Sequence, residues 1–121
     1  MSSRNRTAGH NFERQIVQEL KILGFPEAVT SRAESKNMDD KGVDICNTPG
    51  YQFQCKNMKL IPNYHKILSE MPGNSQINIL VHRKTKKSKS RFITEGDYIV
   101  LKKEDFYILL EKLNIAKSLK T

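Results

Sequence analysis

Apolar positions recur at helical spacing near the start of the chain. Phe12, Ile16, Val17, Leu20 and Leu23 fall on one face, with Arg14, Gln15, Gln18, Glu19 and Lys21 on the other, the 3.6-residue period of an amphipathic helix. The spacing predicts a helix over residues 8–23. Gly24 is suited to the C′ position and Pro26 blocks continuation, while Thr7 and Asn11 each qualify as N-cap. The pattern then shortens. Residues 27–31 predict a brief strand, the polar stretch 32–41 a loop, and residues 42–46 a second strand. Asn47-Thr48-Pro49-Gly50 is turn chemistry, and residues 51–56 return as a third strand, giving a hairpin. Within that strand Gln52, Gln54 and Lys56 share one face and Phe53 and Cys55 the other.

Further along, Pro62 opens a short helix over 63–71 that Pro72-Gly73 closes. Residues 77–82 form an apolar run suited to a buried strand. Residues 83–91 then carry six basic side chains (Arg83, Lys84, Lys86, Lys87, Lys89, Arg91) and no acid. One or two strands are expected over 92–101, around Glu95-Gly96-Asp97. A last helix over 103–116 places Phe106, Leu109, Leu110 and Leu113 on its core face. The expected order is α β β β α β β α, which predicts an α/β fold with a central mixed β-sheet flanked by helices. No repeat, low-complexity segment or linker divides the 121 residues, a length that suits a single domain over 1–121.

Composition narrows the partner. Lys and Arg number 21 against 13 Asp and Glu, a formal charge of +8, with pI about 9.6. Such an excess favours a polyanion, most often nucleic acid, although a merely basic surface has the same arithmetic. No apolar run approaches the roughly 20 residues that span a bilayer, and residues 1–10 lack the apolar stretch of a secretory signal. Cys46 and Cys55 are the only thiols. They build neither a disulfide framework nor, without a CxxC pair or His/Cys cluster, a zinc site. The expectation is a reduced, cytoplasmic setting without a membrane.

The informative residues are polar ones in apolar company. Glu13 lies three and four positions before Ile16 and Val17, in line with the helix's buried stripe. Asp44 stands between Val43 and Ile45, and Gln54 and Lys56 share a face of the next strand. A carboxylate at a strand end beside an oxygen-bearing side chain suits a hard divalent cation. A lysine alongside can stabilise developing phosphate charge or orient a water. Singly, each has a plainer reading: a first-turn acid, a turn residue, the wet face of a strand. Their conjunction in order and spacing is what carries weight.

Glu13, Asp44 and Gln54-Cys55-Lys56 together resemble the signature of the PD-(D/E)xK nucleases. Within that superfamily the chain is most similar to the small archaeal- and phage-type Holliday junction resolvases. Phe12-Glu13-Arg14-Gln15-Ile16-Val17-Gln18-Glu19-Leu20 with Gly24-Phe25 matches their first helix, and Arg32 and Ser35 match an Arg and a Ser ahead of the metal-binding Asp. The likeness covers the first half of the chain; beyond Lys59 it rests on element order. It implies a restriction-endonuclease-like core and phosphodiester hydrolysis dependent on Mg²⁺, with Mn²⁺ able to substitute. It further implies branched double-stranded DNA as substrate and a homodimer. By position, Glu13, Asp44 and Gln54 are the implied metal ligands, Lys56 the catalytic lysine, and Ser35 and Arg32 contacts to the scissile phosphate. Arg83, Lys84, Lys86, Lys87, Lys89 and Arg91 are candidate DNA contacts through phosphates. The resolvases carry Glu where this chain has Gln54. The Gln-Cys-Lys form instead resembles the Mrr-like restriction endonucleases, and opens a compensating role for Glu34, Asp39 or Asp40. A different structure-selective nuclease of the same fold and a non-catalytic junction-binding module are the competing expectations.

Overall fold

A computed structural model describes the backbone of residues 3–120 and the side chains of residues 6–119. Helix α1 spans Ser3–Ile22, so Thr7 and Asn11 both lie inside it rather than at its cap. Gly24 takes a φ of 121° just past its end, and Phe25 N–H returns to Leu20 C=O at 3.0 Å. Leu23 falls beyond the last turn and is exposed, unlike the rest of its predicted stripe.

Five strands follow: β1 Val29–Thr30, β2 Ile45–Cys46, β3 Tyr51–Met58, β4 Ile77–Ser88 and β5 Arg91–Val100. They lie in the order β1-β2-β3-β4-β5. All neighbours are antiparallel except β3 and β4, whose parallel pairing needs a crossover. Helix α4, Tyr64–Glu70, supplies it, capped by the Asn63 side chain. The sheet is mixed and helix-flanked, as the pattern predicts. On one face Phe12, Ile16, Val17 and Leu20 of α1 pack on Phe53, Cys55, Ile77, Ile79 and Val81. The alternation of β4 turns Leu80 to the other face, where it meets Val43, Leu68 and Met71.

Three expectations are corrected. Residues 32–41 are not a loop but two short helices, α2 Ser31–Glu34 and α3 Lys36–Asp40. Elements of four and five residues in which Met38 is the one apolar side chain packed on a core cluster leave no period to read. The buried strand does not stop at residue 82 but continues through the basic segment to Ser88. It turns at Lys89, which has a φ of 57°, and returns as one strand with an irregularity opposite Lys84 and Thr85. The chain thus raises a two-stranded arm in which alternation, not burial, sets the pattern. The third correction concerns the last helix, α5, Lys103–Lys120. Of the four side chains expected in the core, only Leu109 packs against it; Phe106, Leu110 and Leu113 are exposed.

Candidate functional site

The site is built around Asp44. Its N–H donates to Phe53 C=O at 2.7 Å and its C=O accepts from Ser31 N–H at 2.8 Å, so the residue is fixed between β3 and the β1–α2 corner. Its Oδ2 accepts from the Cys55 N–H at 2.7 Å. Gly42 precedes it with a φ of 83°, and a Cβ there would lie 3.1 Å from Gln54 Oε1. The positive φ favours glycine, and any side chain there would also push the Gln54 amide aside by a few tenths of an ångström.

This placement strains the charge state of Asp44. Burial pushes its pKa up to about 7, opposed by the Cys55 N–H, reinforced by the charges of Glu13 and Asp39, and relieved by Lys56. A carboxyl withdrawn from water with insufficient countercharge resists ionising. Glu13 and Lys56 are therefore both within electrostatic reach of Asp44, although the three come from α1, β3 and the lead-in to β2. Burial and the charges of Asp44 and Glu13 also push the Cys55 thiol far up, so it is an inert core residue whose backbone does the positioning.

Glu13 projects from α1 with its side chain 13% exposed and pairs with Arg32 Nε at 3.2 Å. Arg32, on α2, thus occupies the carboxylate next to Asp44. Gln54 and Lys56 are both half-buried on β3, and the Gln54 amide oxygen rests against Gly42. Ser35 is not gathered with this group through a hydrogen bond. Its hydroxyl caps α3 by accepting from Met38 N–H at 3.3 Å, and it lines a cavity of about 380 Å³ with Glu34, Cys46 and Thr48. Of the three candidate compensating carboxylates, Asp39 is the one whose charge reaches Asp44. Asp40 is turned to Lys36 at 4.0 Å, and Glu34 to the cavity.

The six basic residues of the arm divide into two groups. At its root, Arg83 makes a two-pronged pair with Asp97, both contacts 2.8 Å. It also donates to Gln15 at 3.0 Å and lies 4.6 Å over the Phe12 ring. Lys84 donates to Glu95 at 2.8 Å. These two are committed to holding the arm against α1 and β5. Toward the tip, Lys86, Lys87, Lys89 and Arg91 are exposed. The sequence carries no signal for this split, because Asp97 and Glu95 become partners only through the β4–β5 register.

A divalent cation fits what the site offers. Among the described residues no three His, Cys, Asp or Glu side chains gather to hold a metal. A cation here would draw on two carboxylates, an amide oxygen and water. That is a hard-oxygen set of the kind Mg²⁺ accepts while retaining several waters, and Asp44 lacks the countercharge that a cation brings. Compared with known proteins, the chain matches no protein-family model, no curated protein and no solved structure.

Proposed function

We propose that this protein is a Mg²⁺-dependent endodeoxyribonuclease of the restriction-endonuclease-like fold, acting in the cytoplasm on four-way branched DNA. The observation that carries the reading is Asp44. Its carboxyl is half-buried, oriented by the Cys55 N–H and short of positive charge, with Glu13 and Lys56 in reach. Glu13, Asp44 and the Gln54 amide oxygen would hold the cation, which when bound supplies Lewis-acid polarisation of the phosphodiester and a more acidic water. Lys56 stabilises charge developing on the phosphate and orients the attacking water. Arg32, released from Glu13, pairs with a phosphate as a planar double donor, and the arm's tip holds the duplex without reading bases. Paired nicks across a two-fold junction require two such sites, hence a homodimer.

Gln54 favours a second reading, a nuclease closer to the Mrr-like branch with another preferred substrate. Side-by-side digestion of four-way, flap, single-stranded and linear DNA separates the two. The reading as a whole is tested by cleavage of a synthetic four-way junction in Mg²⁺ or Mn²⁺. Wild type yields paired nicked duplexes, and Asp44→Ala loses activity by on the order of 1000-fold. Undiminished cleavage by Asp44→Ala would overturn the site. Salt-sensitive junction binding by wild type with no cleavage in either metal would leave only a binding module.

A further inference from the structure

The tip of the β4–β5 arm sets an aromatic ring among cations. Phe92 is 52% exposed and stands directly across from Lys87, one pair short of Ser88 and Arg91, so Phe92 and Lys87 share a face of the ribbon. The turn adds Lys89, and Lys86, Lys87, Lys89 and Arg91 are all exposed. Residues 71–94 contain no acid. The first two acids that follow, Glu95 and Asp97, are bonded to Lys84 and Arg83 at the arm's root. Thr85 is the last buried residue of β4. Beyond it the strand runs three more residues, roughly 10 Å, before it turns. Phe92 thus lies outside both core clusters and the side chains packed on them, and packing does not account for it.

The cations fit a polyanion, and the ring narrows its form. A phenyl group has no hydrogen-bond donor or acceptor with which to read a base edge. It offers a π-face, whereas the bases of a continuous duplex have both faces covered by their neighbours. A base is open to stacking only where it is unpaired or where a helix ends, as at the centre of an opened branch. Aromatic rings in basic surroundings hold such bases, the ring taking the base and the cations the backbone beside it. We propose that Phe92 stacks on a base exposed at the branch point of DNA, with Lys87, Lys89 and Arg91 on the adjacent phosphates. This contact separates branched from linear DNA. Lys56 is level with His82 on β4, and Phe92 with Lys87. The five residues between those levels put Phe92 roughly 17 Å along the strand from Lys56, so the stacked nucleotide is not the one cleaved. The choice of DNA as the polyanion rests on the nuclease reading above; the stacking contact needs no cleavage.

Binding by the full chain in chelator tests it, with a synthetic four-way junction, a single strand and a linear duplex as probes over a salt series. Phe92→Ala is expected to weaken binding to the junction and the single strand about tenfold or more and to leave the linear duplex unchanged, which also shows that the arm is folded. The slope of log affinity against log salt stays at the wild-type value on every probe, because stacking neutralises no phosphate. Phe92→Trp keeps the preference for the junction. Phe92→Ala that binds the junction like wild type overturns the proposal. An equal loss on all three probes does so too, since the ring would then only order the arm, as does Phe92→Trp no better than Phe92→Ala. Failure of cleavage in every metal leaves these affinities to stand by themselves, and failure of the stacking contact leaves the Asp44→Ala cleavage test intact.

Discussion

The surroundings of Asp44 and the surface of α5 depart from the usual sorting of side chains in opposite directions. At the first, a carboxyl is withdrawn from water without full countercharge; at the second, large apolar side chains remain in water. Soluble folds avoid both arrangements unless something completes them. The difference lies in what is missing. Asp44 is already fixed by three backbone contacts and needs only charge, so a small cation suffices. Helix α5 is held chiefly through Leu109, and what it leaves uncovered is apolar area rather than charge. Polar strain at a rigid place and apolar surplus at an under-packed one thus mark different kinds of partner.

The strongest way to break this contrast is to remove the charge of Asp44. Without metal, the folded protein holds a proton on Asp44 up to about pH 7, whereas the unfolded chain releases it near pH 3.8. Between those values the folded state binds the extra proton, so stability falls as pH rises, then levels off above 7. At about 1.36 kcal/mol per unit, the full window is worth at most about 4 kcal/mol. Asp44→Asn keeps the shape and abolishes this slope. Urea unfolding at pH 4 to 8 with chelator checks it, and an unchanged slope in the variant would show that Asp44 is not the group responsible.

The next effect is the linkage to metal. If the cation completes the site, Mg²⁺ at a hundredfold excess over its Kd stabilises the wild type by about 2.7 kcal/mol. Asp44→Asn loses most of that gain. Gln54→Glu adds a charge to the ligand set and is expected to tighten Mg²⁺ about tenfold, by the dependence of affinity on ligand charge. Thermal unfolding over a Mg²⁺ titration reads both variants, and a wild type insensitive to Mg²⁺ removes the cation from the picture.

Much of this was legible from the residues alone, and what was not has a common cause. α1, the β2–β3 hairpin, α4 and the strand faces carrying Gln54 and Lys56 follow from local periods and turn residues. The meeting of Glu13, Asp44 and Lys56 was expected only from resemblance, because contact between residues so far apart in sequence is a property of the assembled sheet. Arg32's pairing with Glu13 and Arg83's with Asp97 had no local signal at all. The α5 stripe predicts a core face, yet Phe106, Leu110 and Leu113 are exposed and only Leu109 packs on the core, because periodicity shows that a face is apolar and not that the chain covers it.

Arg83 sharpens the comparison at a smaller scale, because it looks like a DNA contact in sequence and like a strut in the fold. Arg83→Ala removes the double contact to Asp97, the bond to Gln15 and the packing on Phe12. A loss of about 1–2 kcal/mol in unfolding free energy is expected. DNA affinity should change mainly through that loss of order at the arm's root. A variant of full stability whose DNA binding collapses would move Arg83 from strut to contact.

The tip of the arm should give the smallest change in stability and the clearest change in binding. Lys86, Lys87 and Lys89 are exposed, and surface substitutions of this kind usually shift stability by no more than about 0.5 kcal/mol. If each neutralises one phosphate, each contributes about 0.9 to the slope of log affinity against log salt. Lys86→Ala, Lys87→Ala and Lys89→Ala combined therefore lower that slope by roughly 2.7 and weaken binding alike on different base sequences. Junction binding in chelator over a salt series measures this without cleavage. Weakening confined to one base sequence would mean that the tip reads bases. An unchanged slope would place the duplex elsewhere, leaving the arm's exposed lysines as solvated charge.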